Sequence, residues 1–396
     1  MSAPVLERLG TASAGLDGDT VDGLRLRRAW PRGTGHLLLE YVTADGRSVA
    51  AQWFGFPDGT PDRDRLEHVA AATTRSATGH GTVVVDDARG VLLHHGGVDR
   101  RLRGLAGLAG RDGAELVVHR PERRAVVRLT ALGETRYVKV VRPAAIASLV
   151  VAAAGAGCAA GVTVPALLQV DADRGWTTWS ALPGASLHDL ARAHASPGAG
   201  EPGARGYVEA AGLAGQALRA LHAVPARDLP IHGARDEADV VTQWVSRAAP
   251  YLASRLAVPE AVSDQVRAAV TERGGPHVVI HRDFHDKNIL VAGGGRVGML
   301  DVDTLCLGEA ALDLANILVH LHLRGLQGLV PPATAAQAAT ALLDGYRPAA
   351  PVVARLDAYA DATRLRLACV YGFRPAAAGC SQALLATIGA PTPGRC

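Results

Sequence analysis

Lysine is almost missing from this chain. Of its 41 basic residues only Lys139 and Lys287 are lysine, which leaves 39 (41 − 2) arginines. Against that background a lysine marks a position that wants a compact ammonium rather than a planar fork. Cysteine is scarce as well. Cys158, Cys306, Cys369, Cys380 and Cys396 are odd in number and widely spaced, with no CxxC. That pattern argues against a disulfide framework and points to a reduced, cytoplasmic protein. No apolar stretch follows a basic start, so no secretion signal is expected. One uncharged run, 143–170, is long enough to span a bilayer. It is mostly Ala and Gly, and Gly155, Gly157, Gly161 and Pro165 interrupt it. It reads as a small-residue helix, a turn and a buried strand, so no membrane partner is expected. The net charge of +3 over 396 residues gives no reason to expect a nucleic-acid partner. With 48% apolar residues, a chain of this length has the core for two or three lobes.

Residues 1–105 read as a β-rich unit, a cap or accessory domain. Apolar runs at 36–42 and 48–54 flank the turn Ala44-Asp45-Gly46, and runs at 83–85 and 91–95 flank Asp86-Asp87-Ala88-Arg89-Gly90. Strands are expected at 116–119, 125–130 and 136–141, then the Ala-rich helix, then strands near 166–170 and 176–180. Together they form a small antiparallel sheet with one helix, residues 106–182. From 183 to 396 helical patterns take over, at 210–222, 240–252 and 261–272. The Ala-, Gly- and Pro-rich 193–206 reads as a flexible excursion.

The chemistry concentrates in 276–318. A short apolar strand, 277–280, leads into the polar loop His281-Arg282-Asp283-Phe284-His285-Asp286-Lys287-Asn288. Strands at 289–291 and 297–300 enclose Gly293-Gly294-Gly295, and Asp301 stands where the second ends. Phosphoryl transfer needs a carboxylate to orient and deprotonate an acceptor hydroxyl, oxygen ligands for magnesium, and a cation on the phosphates. Asp283, Asn288, Asp301 and Lys139 supply those types. A second reading stays open: His281, Asp283 and His285 at spacings of two, with Asp301, have the residue types of a metal-dependent hydrolase. A third is a non-catalytic binding module, against which the intact Asp283, Asn288 and Asp301 set argues. Asp303 reads as a solvated loop residue, and His320 and His322 as packed or exposed helix residues.

HRDFHDKN resembles the H-x-D-x-x-x-x-N catalytic loop of the kinase-like superfamily. Met299-Leu300-Asp301, Gly308-Glu309-Ala310-Ala311-Leu312-Asp313-Leu314-Ala315, the segment Leu182-Pro183-Gly184 and the helix end Leu221-His222 resemble the aminoglycoside phosphotransferase family. The resemblance covers roughly residues 115–375. It implies an α+β, bilobal, protein-kinase-like fold, with a small antiparallel-sheet N-lobe and a mainly helical C-lobe. It implies ATP or GTP as co-substrate and Mg²⁺ or Mn²⁺ as cofactor. The acceptor is a hydroxyl of a small molecule, either an antibiotic such as an aminoglycoside or a sugar or small alcohol. Asp283 then corresponds to the catalytic base, Asn288 and Asp301 to the metal ligands, and Lys139 to the phosphate-binding lysine. Lys287 is a further candidate for phosphate contact. Ser180, Ala181 and Leu182 correspond to the hinge that binds the base, and His281 and Asp313 to structural support. Two features depart from the pattern. No acidic residue lies between Lys139 and Asp171, where the lysine's helix glutamate belongs, so the ammonium is expected solvated or weakly paired until nucleotide binds. The first strand pair turns through His119-Arg120-Pro121-Glu122-Arg123-Arg124 rather than a Gly-rich loop. Residues 231–396 show no acidic cluster of the kind expected of a site for cationic aminoglycosides.

Overall fold

The computed structural model describes residues 5–16, 19–77, 81–147, 149–150, 162–195, 201–225, 228–252, 256–272 and 274–394. The first sheet has six antiparallel strands: β1 (Thr11–Leu16), β2 (Asp19–Gly33), β3 (His36–Val42), β4 (Ser48–Phe54), β5 (Thr82–Asp86) and β6 (Val91–His95). Their order is β1-β2-β3-β4-β6-β5. The consecutive apolar residues of β3 and β4 have a physical cause: both faces of the sheet are covered. The helix Arg63–Arg75, capped by Asp62, lays Leu66, Val69 and Ala70 on Phe54 and Leu92. The opposite face, with Leu37, Leu39, Trp53 and Leu93, belongs to the same core as Tyr251 and Phe373 of the helical lobe.

That docking is specific. Tyr251 meets Trp53 and Phe373 edge-on at 6.1 Å each. Its hydroxyl accepts from Gly35 N (2.8 Å) and donates to Gly33 O (2.7 Å). The Ala29 N–H donates to Phe373 O at 2.9 Å. The β-rich unit expected at 1–105 therefore completes its core against the helical lobe.

The second sheet, order β10-β11-β9-β8-β7, is antiparallel: β7 (Ala114–Arg120), β8 (Arg124–Ala131), β9 (Glu134–Val141), β10 (Leu167–Asp171) and β11 (Trp176–Ser180). All five strands stand where the sequence pattern puts them. The short helix Leu105–Ala109 packs Leu105 and Leu108 against Val127, Val138 and Val140. Most of the Ala-rich helix, 148 and 151–161, lies outside the described residues. The segment that follows β6 also grips the β7–β8 turn. His119 Nε2 donates to Asp99 Oδ2 (3.0 Å), which also accepts from Glu122 N (2.7 Å), and Arg100 pairs with Glu122 at 2.6 Å. His94 stands edge-on to His119 at 5.6 Å.

This junction is expected to be acid-sensitive. Burial first, and then His119, lower His94 from 6.5 to about 4. The unfolded chain therefore binds the proton at a higher pH than the fold does. Stability is full above about 6.5 and declines as pH falls toward 4, by up to about 1.4 kcal/mol per pH unit for this group. A His94→Gln variant is expected to show a smaller loss of melting temperature between pH 7 and pH 5 than the wild type. Equal losses would remove His94 as the sensor.

The helical lobe comprises Leu187–His194, Glu201–His222, Ala234–Leu252, Glu260–Thr271, Ala310–Leu326, Pro332–Tyr346, Leu356–Gly372 and Ala378–Ala386. Glu201–His222 starts inside the segment read as a flexible excursion. Further along the helix, its glycines pack closely. A Cβ on Gly215 would meet Leu342 O at 2.1 Å, and one on Gly345 would meet Gly212 O at 2.1 Å. Small residues here let this helix and Pro332–Tyr346 approach closely. Among the described residues no helix is long and apolar enough to cross a membrane.

Candidate active site

The polar loop follows β13 (His277–Ile280) and precedes β14 (Ile289–Ala292), which turns back as β15 (Arg296–Met299). β14 also pairs with β12 (Ala185–Ser186), and β13 pairs with β16 (Cys306–Glu309). Those two short strands are missing from the sequence reading. Gly184 precedes β12 at φ +110°, where a Cβ would meet Val291 O at 2.6 Å. This contact seats the interlobe connection on the β14–β15 hairpin.

Asp313, in the first turn of the helix Ala310–Leu326, fixes the loop's entrance. Its carboxylate accepts from His281 N (2.6 Å), Arg282 N (2.8 Å) and His222 Nε2 (3.1 Å). Those bonds hold Arg282 at φ +68°, a left-handed conformation that a non-glycine residue adopts at a cost. His281 Nε2 donates to Leu300 O (2.9 Å), so Nδ1 is the acceptor for Asp283 N (3.3 Å). Both ring nitrogens are thus committed, and His281 is not available as a metal ligand for a hydrolase. Among the described residues no group of three His, Cys, Asp or Glu is arranged to hold a metal ion. His320 is packed, stacking on His285 at 4.9 Å.

Asp283 keeps its carboxylate 44% exposed, with His285 Nε2 3.7 Å away. Asn288 Nδ2 donates to Asp283 O (3.0 Å), and Leu300 N donates to Asn288 O (2.8 Å). The second bond carries the end of β15, and with it Asp301, to the loop. Asp286, fully buried, is gripped by Arg324 through two bonds of 2.6 and 2.8 Å and by His188 at 3.1 Å. Burial opposes its charge, yet Arg324 and His188 hold its carboxyl well below the usual range.

Lys139 corrects the expectation of a solvated ammonium. Its Nζ donates to Asp301 Oδ1 (2.9 Å) and to both oxygens of Asp303 (2.8 and 2.6 Å), and Trp179 lies 5.3 Å away. The partner absent from the helix after β9 is supplied by the other lobe. Asp303 is accordingly an ion-pair member rather than a solvated loop residue. Burial works against Asp301, but Lys139 and Arg124 hold its carboxyl below the usual range. Burial and Asp301 push Asp303 up.

These groups face a cavity of about 310 Å³ between the lobes, lined also by Asn288, Ser180 and Leu182. Ala181 does not line it. The Ser180 N–H is already bonded to Ala166 O (2.9 Å), so it is not a free donor for a base. Lys287 does not line it either: its side chain borders a separate cavity on the helical lobe. Arg124, which the sequence reading did not single out, reaches within 3.6 Å of Asp301. Its position in the His119–Arg124 turn, in place of a Gly-rich loop, was the available signal.

A family model described as the phosphotransferase enzyme family matches residues 107–356, well over half of the chain. The chain belongs to the phosphotransferase enzyme family. No curated protein matches it. Among solved structures, it is similar to a choline/ethanolamine kinase family protein from Mesorhizobium loti, at 20% identity and a TM-score of 0.47, over 72% of this chain and 91% of that one. It is also similar to the macrolide 2'-phosphotransferase MphH from Brachybacterium faecium, at 19% identity and 0.43, over 70% and 91%. A third is the aminoglycoside phosphotransferase APH(3'')-Id from Streptomyces rimosus with ADP and streptomycin, at 20% and 0.46, over 65% and 96%. The family match starts at β7's approach and leaves the first sheet outside it. A divalent ion fits the donor set of this family member. Asp301 offers carboxylate oxygens, and Asn288, with its amide nitrogen bonded to Asp283 O, offers its carbonyl oxygen.

Proposed function

We propose that the protein transfers the terminal phosphoryl group of ATP or GTP to a hydroxyl of a small molecule. The observation that carries this reading is the meeting of Lys139 and Asp301, one from each lobe, above the loop that holds Asp283. In the reaction the acceptor oxygen forms a bond to the terminal phosphorus, and the bond to the β–γ bridging oxygen breaks. The hydroxyl proton passes to the Asp283 carboxylate. Asn288 and Asp301 would hold Mg²⁺ or Mn²⁺, whose charge, when bound, offsets that of the phosphates. Lys139 and Arg124 orient the phosphates, and the apolar lining around Trp179 and Leu182 receives the base. The test is nucleotide consumption with each of a panel of antibiotics, sugars and small alcohols, read by mass spectrometry of the acceptor. Consumption that depends on one class, with a phosphoryl adduct, supports the proposal. Consumption with water as the sole acceptor overturns it.

The Lys139 triad gives a sharper expectation. Nucleotide phosphates compete with Asp301 and Asp303 for one ammonium, so binding is an exchange of partners. Lys139→Met is expected to weaken nucleotide affinity at least tenfold. It also leaves two facing carboxylates without their shared cation. Its stability deficit is expected to shrink on acidification, because Asp303, with its raised pKa, takes up a proton first. Calorimetry and melts from pH 7 to 4 check both. Unchanged affinity would remove Lys139 from the site.

A further inference from the structure

On the helical-lobe side of the catalytic loop lies a second cavity, about 640 Å³, which shares no lining residue with the interlobe cavity. His188, Lys287, Arg324, Tyr371 and Arg374 line it, and none of its lining residues is Asp or Glu. Asp286, the carboxylate beneath it, is fully buried and already saturated by Arg324 and His188. Among the described residues neither Lys287 nor Arg374 has a carboxylate at ion-pair distance, whereas Arg324 does. The Arg374 guanidinium lies over the Tyr371 ring, 4.0 Å from its centroid. The Ala29–Phe373 backbone bond ties β2 to the chain beside Arg374, and Arg28, which does not line the cavity, adds a like charge near it. Arg28 gives its Nε to Glu40 (2.5 Å) and sits 4.6 Å from the Trp30 ring, where Arg120 also stacks at 4.8 Å. Burial, then the like charges of Arg28 and Arg324, lower Arg374 from its ordinary value. An anion in the cavity would relieve that repulsion.

We propose that this cavity binds the anionic group, a phosphate ester or a carboxylate, of the hydroxyl compound that the enzyme phosphorylates. The proposal rests on the phosphotransferase reading for the identity of the occupant as acceptor. The geometry supports it through one short link: Lys287 lines the cavity and donates its backbone N–H to His285 Nδ1 at 3.2 Å, and His285 Nε2 lies 3.7 Å from the Asp283 carboxylate. An acceptor held by Lys287 and Arg374 is thereby bound by the loop that carries Asp283. A polycationic acceptor meets like charge here.

The test uses the full chain saturated with a non-hydrolysable ATP analogue and Mg²⁺, so that the nucleotide site is filled. Inorganic phosphate and, separately, acetate are titrated by calorimetry. One saturable anion site is expected, weakened at least tenfold by Arg374→Gln and by Lys287→Gln and largely kept by Arg374→Lys, with melting curves confirming folded variants. Preference for phosphate assigns a phosphate ester, and preference for acetate a carboxylate. No saturable binding of either probe, or binding indifferent to both Gln variants, overturns the proposal. The two readings fail separately. If the ATP analogue does not bind but phosphate binds through Arg374, the phosphotransferase reading falls and the anion site stands.

Discussion

Replacing Asp283 by Asn is expected to lower phosphoryl transfer by about 10²–10⁴-fold while leaving the melting temperature nearly unchanged. The two halves of that expectation have separate causes. The carboxylate is 44% exposed, so it adds little to packing. The backbone around it is held by groups the substitution leaves alone: His281 Nδ1 on its N–H and Asn288 Nδ2 on its carbonyl. Asn keeps the shape and loses only the capacity to accept a proton. Single-turnover transfer from a γ-labelled nucleotide, beside a thermal melt, measures both halves. Turnover near that of the wild type would place the base elsewhere, and His285, 3.7 Å away, would be the next residue to test.

Arg324→Leu is expected to destabilise the protein by about 3–5 kcal/mol, because it strands a buried carboxylate. Arg324 and Asp286 are 1% and 0% exposed, and the guanidinium grips both carboxylate oxygens. After the substitution His188, His320 and His285, at 3.1, 3.7 and 3.9 Å, are left facing the charge. The folded-state carboxyl of Asp286 lies below its unfolded value. Its contribution is therefore complete above about pH 4 and lost as the pH falls through the folded value. The deficit of the variant should be largest at neutral pH and smaller in acid. The double change Arg324→Leu with Asp286→Leu removes both charges and is expected to recover much of the loss. Urea melts of the three proteins at two pH values decide it. A deficit under about 1 kcal/mol would show that the pair does not anchor the loop.

Local features of this fold were legible in the sequence, and partnerships across long distances were not. The strands at 36–42 and 48–54 and all five strands of the second sheet follow from runs of apolar residues between turns. The loop from His281 to Asn288 and the position of Asp301 follow from local order along the chain. By contrast, the partner of Lys139 is 162 residues away, in a loop whose Asp303 has the composition of an ordinary turn. β16 is four residues with a glycine inside, and its pairing with β13 spans the whole loop and the β14–β15 hairpin. β3 and β4 were visible as apolar-rich runs interrupted by Glu40 and Gln52, and their two-sided burial was not read from them. What covers the second face, Tyr251 and Phe373, carries no local signal at all.

That covering arrangement also bears on how the chain is made. Gly35 waits for the Tyr251 hydroxyl across 216 residues. At ordinary rates of synthesis that is a delay of about 10–40 s, during which Leu37, Leu39, Trp53 and Leu93 have no helical lobe to lie against. The first sheet is therefore the earliest element to form and among the last to be sheltered. A chain cut short before Tyr251 would present that apolar face to other molecules, and aggregation rather than a smaller folded protein is its expected fate.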